Sequence, residues 1–286
     1  MRLSLARCCR ELVVVLVAAV GGWGGICPAP ATAQPCDQSG CAVAATPWVF
    51  ASSIDSQECL AKEGVPDISC DGEVRIAVLG DSIVAGVGDE QYGDSGGGYV
   101  TRARIRLPSV SFAGVGKPGQ TTEQLYRLVK TTLAGSSSSF PKLRATLSDA
   151  DVIVLDIGRN DWWSVARRKE PPTSPTYGRI RRLQKYLRDR LTALSGRTPI
   201  VVVSRLLLPN RGAQGPWVGR LNARFAATSS LYLPANLRFD LVSKRLYNAD
   251  QLHPTALGYE AVTEVFVYYL TKVVPRIWSG ILDQRP

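Results

Sequence analysis

Only one histidine, His253, occurs in 286 residues, so any chemistry that needs an imidazole has a single candidate. Beyond residue 33 no stretch is long and apolar enough to cross a bilayer, which takes roughly 20 strongly apolar residues. There is no internal repeat and no nucleic-acid-binding motif. The cysteines past residue 33 lack the two-residue spacing of a zinc knuckle, which argues against a structural metal. Acidic residues are the minority, 24 against 34 Lys and Arg, for a formal net charge of +10. Such an excess suits anionic polymers, anionic lipid heads or nucleic acid. The arginines are nevertheless spread along the chain. Their densest cluster, Arg179, Arg181 and Arg182 with Lys185, Arg188 and Arg190, falls in an apparent helix and reads as a solvated face, so no nucleic-acid partner is expected.

What is present begins with an export signal. Arg2, Arg7 and Arg10 precede an uncharged apolar run from Leu12 to Val20, and Ala31-Thr32-Ala33 supplies a small-x-small cleavage site. Residues 1–33 are expected to be a signal peptide and the protein to be secreted or periplasmic. An uncleaved anchor is second choice, because Leu12 to Ala33 holds four glycines and two prolines. Ile26 is a poor match to the small residue expected before a lipid-modified cysteine, which speaks against lipidation at Cys27. The mature chain would run from Gln34 to Pro286, 253 residues with a net charge of +8 once three arginines and one glutamate are removed. It retains an even set, Cys36, Cys41, Cys59 and Cys70, in an oxidising compartment, so two disulfides are expected. Three connectivities are open, and the short loops favour Cys36 with Cys41 and Cys59 with Cys70.

Residues 34–72 carry these cysteines without clear periodicity and read as a stapled N-terminal extension to one domain at 73–286. Short apolar, β-branched runs recur at Val74 to Leu79, Val110 to Val115, Val152 to Ile157 and Ile200 to Ser204, with a weaker one at Leu237 to Val242. Helical patterns lie between and after them, at Thr122 to Leu133, Ile180 to Leu194, Gly219 to Ser229 and about Pro254 to Val274. The serine run Ser136 to Ser139 reads as a loop tip. Alternation of strand and helix predicts an α/β fold of three layers, with a single parallel sheet of about five strands covered on both faces. Sites in such sheets lie at the carboxyl ends of the strands.

Three loops at those ends, and one segment before the last helix, carry chemistry. Ser82 follows Gly80-Asp81 directly after the first strand. A serine hydroxyl is a weak nucleophile at neutral pH and needs a base, a group that orients the base, and donors for an oxyanion. His253 is the sole imidazole, and Asp250, three residues earlier, can fix its tautomer. Proline favours the first helical position, so Pro254 would put His253 at the cap of the last helix. After the second strand comes Gly116-Lys117-Pro118-Gly119-Gln120-Thr121-Thr122, and after the third Gly158-Arg159-Asn160-Asp161, whose asparagine offers an amide donor. The Gly-x-Ser-x-Gly elbow of α/β-hydrolases is absent, since the segment reads Gly80-Asp81-Ser82-Ile83-Val84. Asp81 and Asp161 are expected to hold loops in shape. Arg159, Trp162 and Trp163 are candidates to line an acyl or sugar subsite, with core packing equally open for the tryptophans.

The set of four blocks, over about Val74 to Val274, resembles the SGNH hydrolases, also called GDSL esterases and lipases. Gly80-Asp81-Ser82 looks like the family's nucleophile block, Gly119 falls at its oxyanion glycine, Asn160 at its oxyanion asparagine, and Asp250 with His253 at its Asp-x-x-His block. Ile83 and Val84 depart from it, standing where a hydroxyl residue often follows the nucleophile. The resemblance implies a flavodoxin-like SGNH fold and a Ser82–His253–Asp250 triad. It also implies an oxyanion hole from the Ser82 and Gly119 N–H groups and the Asn160 amide, with no metal or organic cofactor. The expected activity is hydrolysis of carboxylic esters of a small molecule, glycan or lipid, with short acyl groups such as O-acetyl favoured because no long apolar insertion offers a lid. Leu206-Leu207-Leu208 and the loop to Trp217 are the remaining segments able to cover a longer chain. Lysophospholipase or acyltransferase activity on the same triad is an alternative, and a non-catalytic envelope protein that binds glycan is an alternative of another class.

Overall fold

A computed structural model describes residues 62–92, 96–134, 140–166, 168, 172–204, 206, 212–228, 232–233 and 244–277. The leader, Cys36, Cys41, Cys59, the serine run and the weak strand candidate Leu237 to Val242 lie outside the described residues. Cys70 is disulfide-bonded.

The elements alternate as β1 (Val74–Gly80), α1 (Gly98–Arg106), β2 (Val110–Gly116), α2 (Thr122–Leu133), α3 (Pro141–Asp149), β3 (Val152–Asp156), α4 (Trp162–Val165), α5 (Ser174–Ser195), β4 (Ile200–Ser204), α6 (Gln214–Thr228), β5 (Tyr232–Leu233) and α7 (Ala256–Lys272). All strand pairs are parallel, in the order β2-β1-β3-β4-β5. That is the flavodoxin-like order, whose chain reversal between β1 and β3 opens a crevice at the strands' carboxyl ends. The expected fold class is the one observed, and the fifth strand is two residues at 232–233.

β1, β3 and β4 are buried because both faces of the sheet are covered there, which is why they read as near-continuous apolar runs, whereas β2 is partly exposed. Successive side chains alternate between two cores. Ile76, Val78, Phe112, Val154 and Val202 pack under α1 and α7, against Tyr99, Tyr259 and Phe266. Ala77, Leu79, Leu155 and Val203 pack on the other face, against Leu125 of α2, Leu187 of α5 and Trp217 of α6. Val65 belongs to the first core, so part of the expected extension packs onto the domain. The Asp151 carboxylate ties it down by accepting the backbone N–H groups of Ile68 and Ser69, both at 3.0 Å, and of Arg75 at 2.9 Å. Within the basic cluster on α5, Arg179 pairs with Asp161 and Glu123, Lys185 with Asp189, and Arg190 donates to the Leu133 carbonyl. Among the described residues no helix is long and apolar enough to cross a membrane.

Leu206 and Trp217 are buried in the second core, so the described ends of the segment considered as an acyl cover are core residues.

Candidate active site

β1 ends at Gly80, where a Cβ would lie 2.3 Å from Val84 Cγ2 and 2.4 Å from the Asp156 carbonyl. Only glycine lets the chain turn this tightly against β3. The turn is held by Asp81, whose Oδ1 accepts the Ile83 N–H at 3.0 Å, and by backbone bonds from Ala85 to Asp81 and from Val87 to Ser82, each 3.0 Å. Ser82 is left at the sheet edge, 7% exposed.

Ser82 Oγ lies 2.9 Å from Nε2 of His253, 171 residues away in sequence. Nδ1 of the same ring lies 2.5 Å from Asp250 Oδ2. Asp250 Oδ1 accepts the N–H groups of Leu252 at 2.9 Å and His253 at 3.0 Å. Burial pushes the Asp250 carboxyl up, but these backbone donors and the ring more than offset it, holding the pKa below the ordinary aspartate value. An ionised Asp250 favours the tautomer with its proton on Nδ1, which leaves the Nε2 lone pair facing the hydroxyl.

The loop bearing His253 is closed on itself. Asn248 N–H donates to the His253 carbonyl at 2.8 Å and Gln251 N–H to the Asn248 carbonyl at 2.9 Å, with Gln251 at φ 56. The Asn248 amide donates to the carbonyls of Gly88 at 3.0 Å and Pro254 at 2.9 Å, pinning this loop to the turn that carries Ser82. Asn248 escaped the sequence reading because a lone Asn in Tyr247-Asn248-Ala249-Asp250 looks like any loop residue. His253 was expected at the helix cap. Instead α7 starts at Ala256 with Thr255 as N-cap, its hydroxyl accepting the Gly258 N–H. A threonine hydroxyl caps a helix better than the backbone ahead of a proline can, so the boundary moves two residues on.

The other two loops join at the same edge, since β2, β1 and β3 are neighbours. Gly119 has φ 73, and no atom would meet a Cβ there within 4 Å, so the residue is open to solvent and free to expose its N–H. Among the described residues neither the Ser82 nor the Gly119 N–H donates to a protein acceptor. Asn160 spends one amide hydrogen on the Gln120 carbonyl at 3.0 Å, which orients the group and leaves the second hydrogen for a ligand. Asp161 locks these loops together, accepting Thr122 N–H at 2.9 Å and Thr122 Oγ1 at 2.5 Å. Burial holds the Asp161 carboxyl above its ordinary value despite Thr122 and Arg179. Asp81 and Asp161 thus hold the loops in shape, as expected.

Arg159 was a candidate to line a subsite, and the structure buries it instead. It is 2% exposed and turns inward beneath Ser82, with Nη2 at 2.8 Å from both Asp81 Oδ1 and Asp156 Oδ1. The Asp156 approach is an ion pair without hydrogen-bond geometry, and Asp156 Oδ2 accepts the Tyr99 hydroxyl at 2.8 Å. Burial pushes the Asp156 carboxyl up, opposed by Arg159. For Arg159 itself, burial works downward but the two carboxylates prevail and hold its pKa above the ordinary value. Trp162 is core, its ring 5.9 Å from that of Trp217, whereas Trp163 is 57% exposed. Among the described residues no group of three or more His, Cys, Asp or Glu is arranged to hold a metal.

Residues 78–261 match the model of the GDSL-like lipase/acylhydrolase family. Similar solved structures include a lipase from a goat rumen metagenome, with a TM-score of 0.54 and 19% identity, covering 68% of this chain and 95% of that one. A member of the G-D-S-L lipolytic family from Veillonella parvula has a TM-score of 0.52 and 15% identity, covering 70% and 99%. A lipase/acylhydrolase from Enterococcus faecalis has a TM-score of 0.51 and 16% identity, covering 69% and 96%. At these identities the likeness is one of fold. No curated protein matches the chain significantly.

Proposed function

Because the chain belongs to the GDSL-like lipase/acylhydrolase family, we propose that it is a serine esterase that cleaves short-chain carboxylic esters outside the cytoplasmic membrane. The observation that carries this reading is the 2.9 Å approach of Ser82 Oγ to the chain's sole imidazole. In the first half-reaction Ser82 Oγ attacks the ester carbonyl carbon while His253 Nε2 takes its proton. The Ser82 and Gly119 N–H groups and the second Asn160 amide hydrogen receive the developing oxyanion. The C–O bond to the alcohol then breaks, and His253 returns the proton to that oxygen. In the second half-reaction a water, deprotonated by the same ring, attacks the acyl carbon and restores Ser82. Asp250 stabilises the transient imidazolium.

Short acyl groups remain the preference on the grounds given by the sequence, and the compartment rests on the N-terminal leader alone. The test is turnover of aryl acetate through longer aryl esters by wild type, Ser82→Ala and His253→Ala. Both variants should lose on the order of 10⁴-fold or more in kcat while keeping the wild-type circular dichroism spectrum. Unchanged turnover in Ser82→Ala would end the assignment, and a maximum at long chains would end the short-acyl preference.

A further inference from the structure

Beside His253 lies a cleft of about 550 Å³ lined by Gly88, Glu90, Asn248 and Asp250, among others. This is within the size range of small-molecule pockets. Its residues come from the turn after β1 and the loop before α7, and none of Ser82, Gly119 and Asn160 borders it. If Ser82 is the nucleophile, as the preceding section proposes, the acyl carbonyl points to the loops after β2 and β3. The leaving oxygen must then face His253, which protonates it. A cleft that shares His253 but not the oxyanion loops is therefore on the alcohol side of the scissile bond.

Val87 and Ala249 give it an apolar part, and apart from His253 its polar side chains are Glu90, Asn248 and Asp250. Glu90 uses Oε2 to accept the Ala256 N–H at 3.1 Å, and its other oxygen has no partner among the described residues. Both Asn248 amide hydrogens are spent on Gly88 and Pro254, so only its oxygen is offered. Asp250 is half exposed, at 43%. No lysine or arginine lines the cleft. Beside His253, its polar side chains thus present oxygen acceptors, two of them carboxylates, and no cation. The two walls approach closely at Gly88, where a Cβ would meet Asn248 Nδ2 at 2.4 Å and His253 Cβ at 3.0 Å.

We propose that this cleft is the leaving-alcohol subsite, and that it selects hydroxylated or cationic alcohols over anionic ones, with Glu90 as the specificity-determining residue. An anionic alcohol would meet two carboxylates and no cation, whereas hydroxyl or ammonium hydrogens would find oxygen acceptors.

The experiment holds the acyl group constant and varies the alcohol: acetylcholine, glycerol monoacetate and the acetyl ester of glycolate, in wild type and Glu90→Gln. The glutamine keeps an acceptor for the Ala256 N–H and removes the charge. In wild type kcat/KM should be about tenfold or more lower for the glycolate ester than for the other two, and Glu90→Gln should narrow the gap by about threefold or more. Ratios within one enzyme cancel any general loss. Added salt should also narrow it. Equal turnover of the three esters, or an unchanged ratio in Glu90→Gln, overturns the proposal. A second measurement needs no turnover. In Ser82→Ala, proton NMR of the sole imidazole is titrated with choline, glycerol and glycolate. Shifts with the first two and not the third support the subsite, and equal responses or none overturn it. Absent hydrolysis with selective shifts would sink the esterase reading alone.

Discussion

Replacing Arg159 by methionine removes the one cation from a buried set that holds two carboxylates. Arg159, Asp81 and Asp156 are each 2% exposed or less, and both ion pairs close at 2.8 Å. Breaking a buried pair by deleting one partner costs on the order of 3–5 kcal/mol, because the remaining charge keeps its desolvation penalty without compensation. Methionine fills the stem's volume, so the loss is electrostatic rather than a cavity. For a domain of this size the Tm should drop by roughly 6–20 °C. Burial already pushes the Asp156 carboxyl above its ordinary value, and Arg159 is what restrains it. Without Arg159 the folded-state pKa of that carboxylate rises further above the unfolded one. The folded state then binds protons more readily than the unfolded state across the window between the two values. Stability in that window falls as pH rises, by up to about 1.4 kcal/mol per pH unit for each such carboxylate. The destabilisation of Arg159→Met should therefore be larger at pH 7.5 than at pH 5. Urea unfolding followed by tryptophan fluorescence at both pH values measures it. A loss under about 1 kcal/mol at pH 7.5, or a loss that grows toward pH 5, refutes the reasoning.

Asn160→Ala should lower kcat on an aryl acetate by on the order of 10²–10³ with little change in KM, because the amide is held for the oxyanion by Gln120; a loss confined to KM would reassign Asn160 to substrate binding. Asp151→Asn should destabilise the fold by about 1–3 kcal/mol in urea unfolding, since an amide hydrogen would then face one of three backbone N–H donors. An unchanged midpoint would show that residues 68–75 are held by other means.

The parts of the molecule legible in the sequence are those whose burial follows a simple period. β1 to β4 carry apolar side chains on both faces and announced themselves as short runs. The amphipathic α2 was read to the residue, because Leu125 and Val129 recur on its buried face, and the structure adds a capping box at Thr121 and Gln124. α1 was missed since its inner face includes Arg102, 6% exposed and paired with Asp89, and a buried arginine breaks the apolar pattern. α3 buries only Leu147, too little for a period to show. At the site, the short-range relation of Asp250 to His253 and the strand-end positions of Ser82, Gly119 and Asn160 could be read in advance. The inward turn of Arg159 could not, because its partners sit 78 residues back and three residues back on the far side of a turn. Asn248 was invisible for the same reason, its work being done on Gly88, 160 residues away.

The separation of 171 positions between the hydroxyl and its base also orders events in time. A polypeptide emerging from the ribosome N-terminus first shows Ser82 to its surroundings while the ring that would activate it has not been made. On the proposed chemistry, reactivity requires the loop before α7 to lie against the turn after β1, where Nε2 of His253 comes within 2.9 Å of Ser82 Oγ.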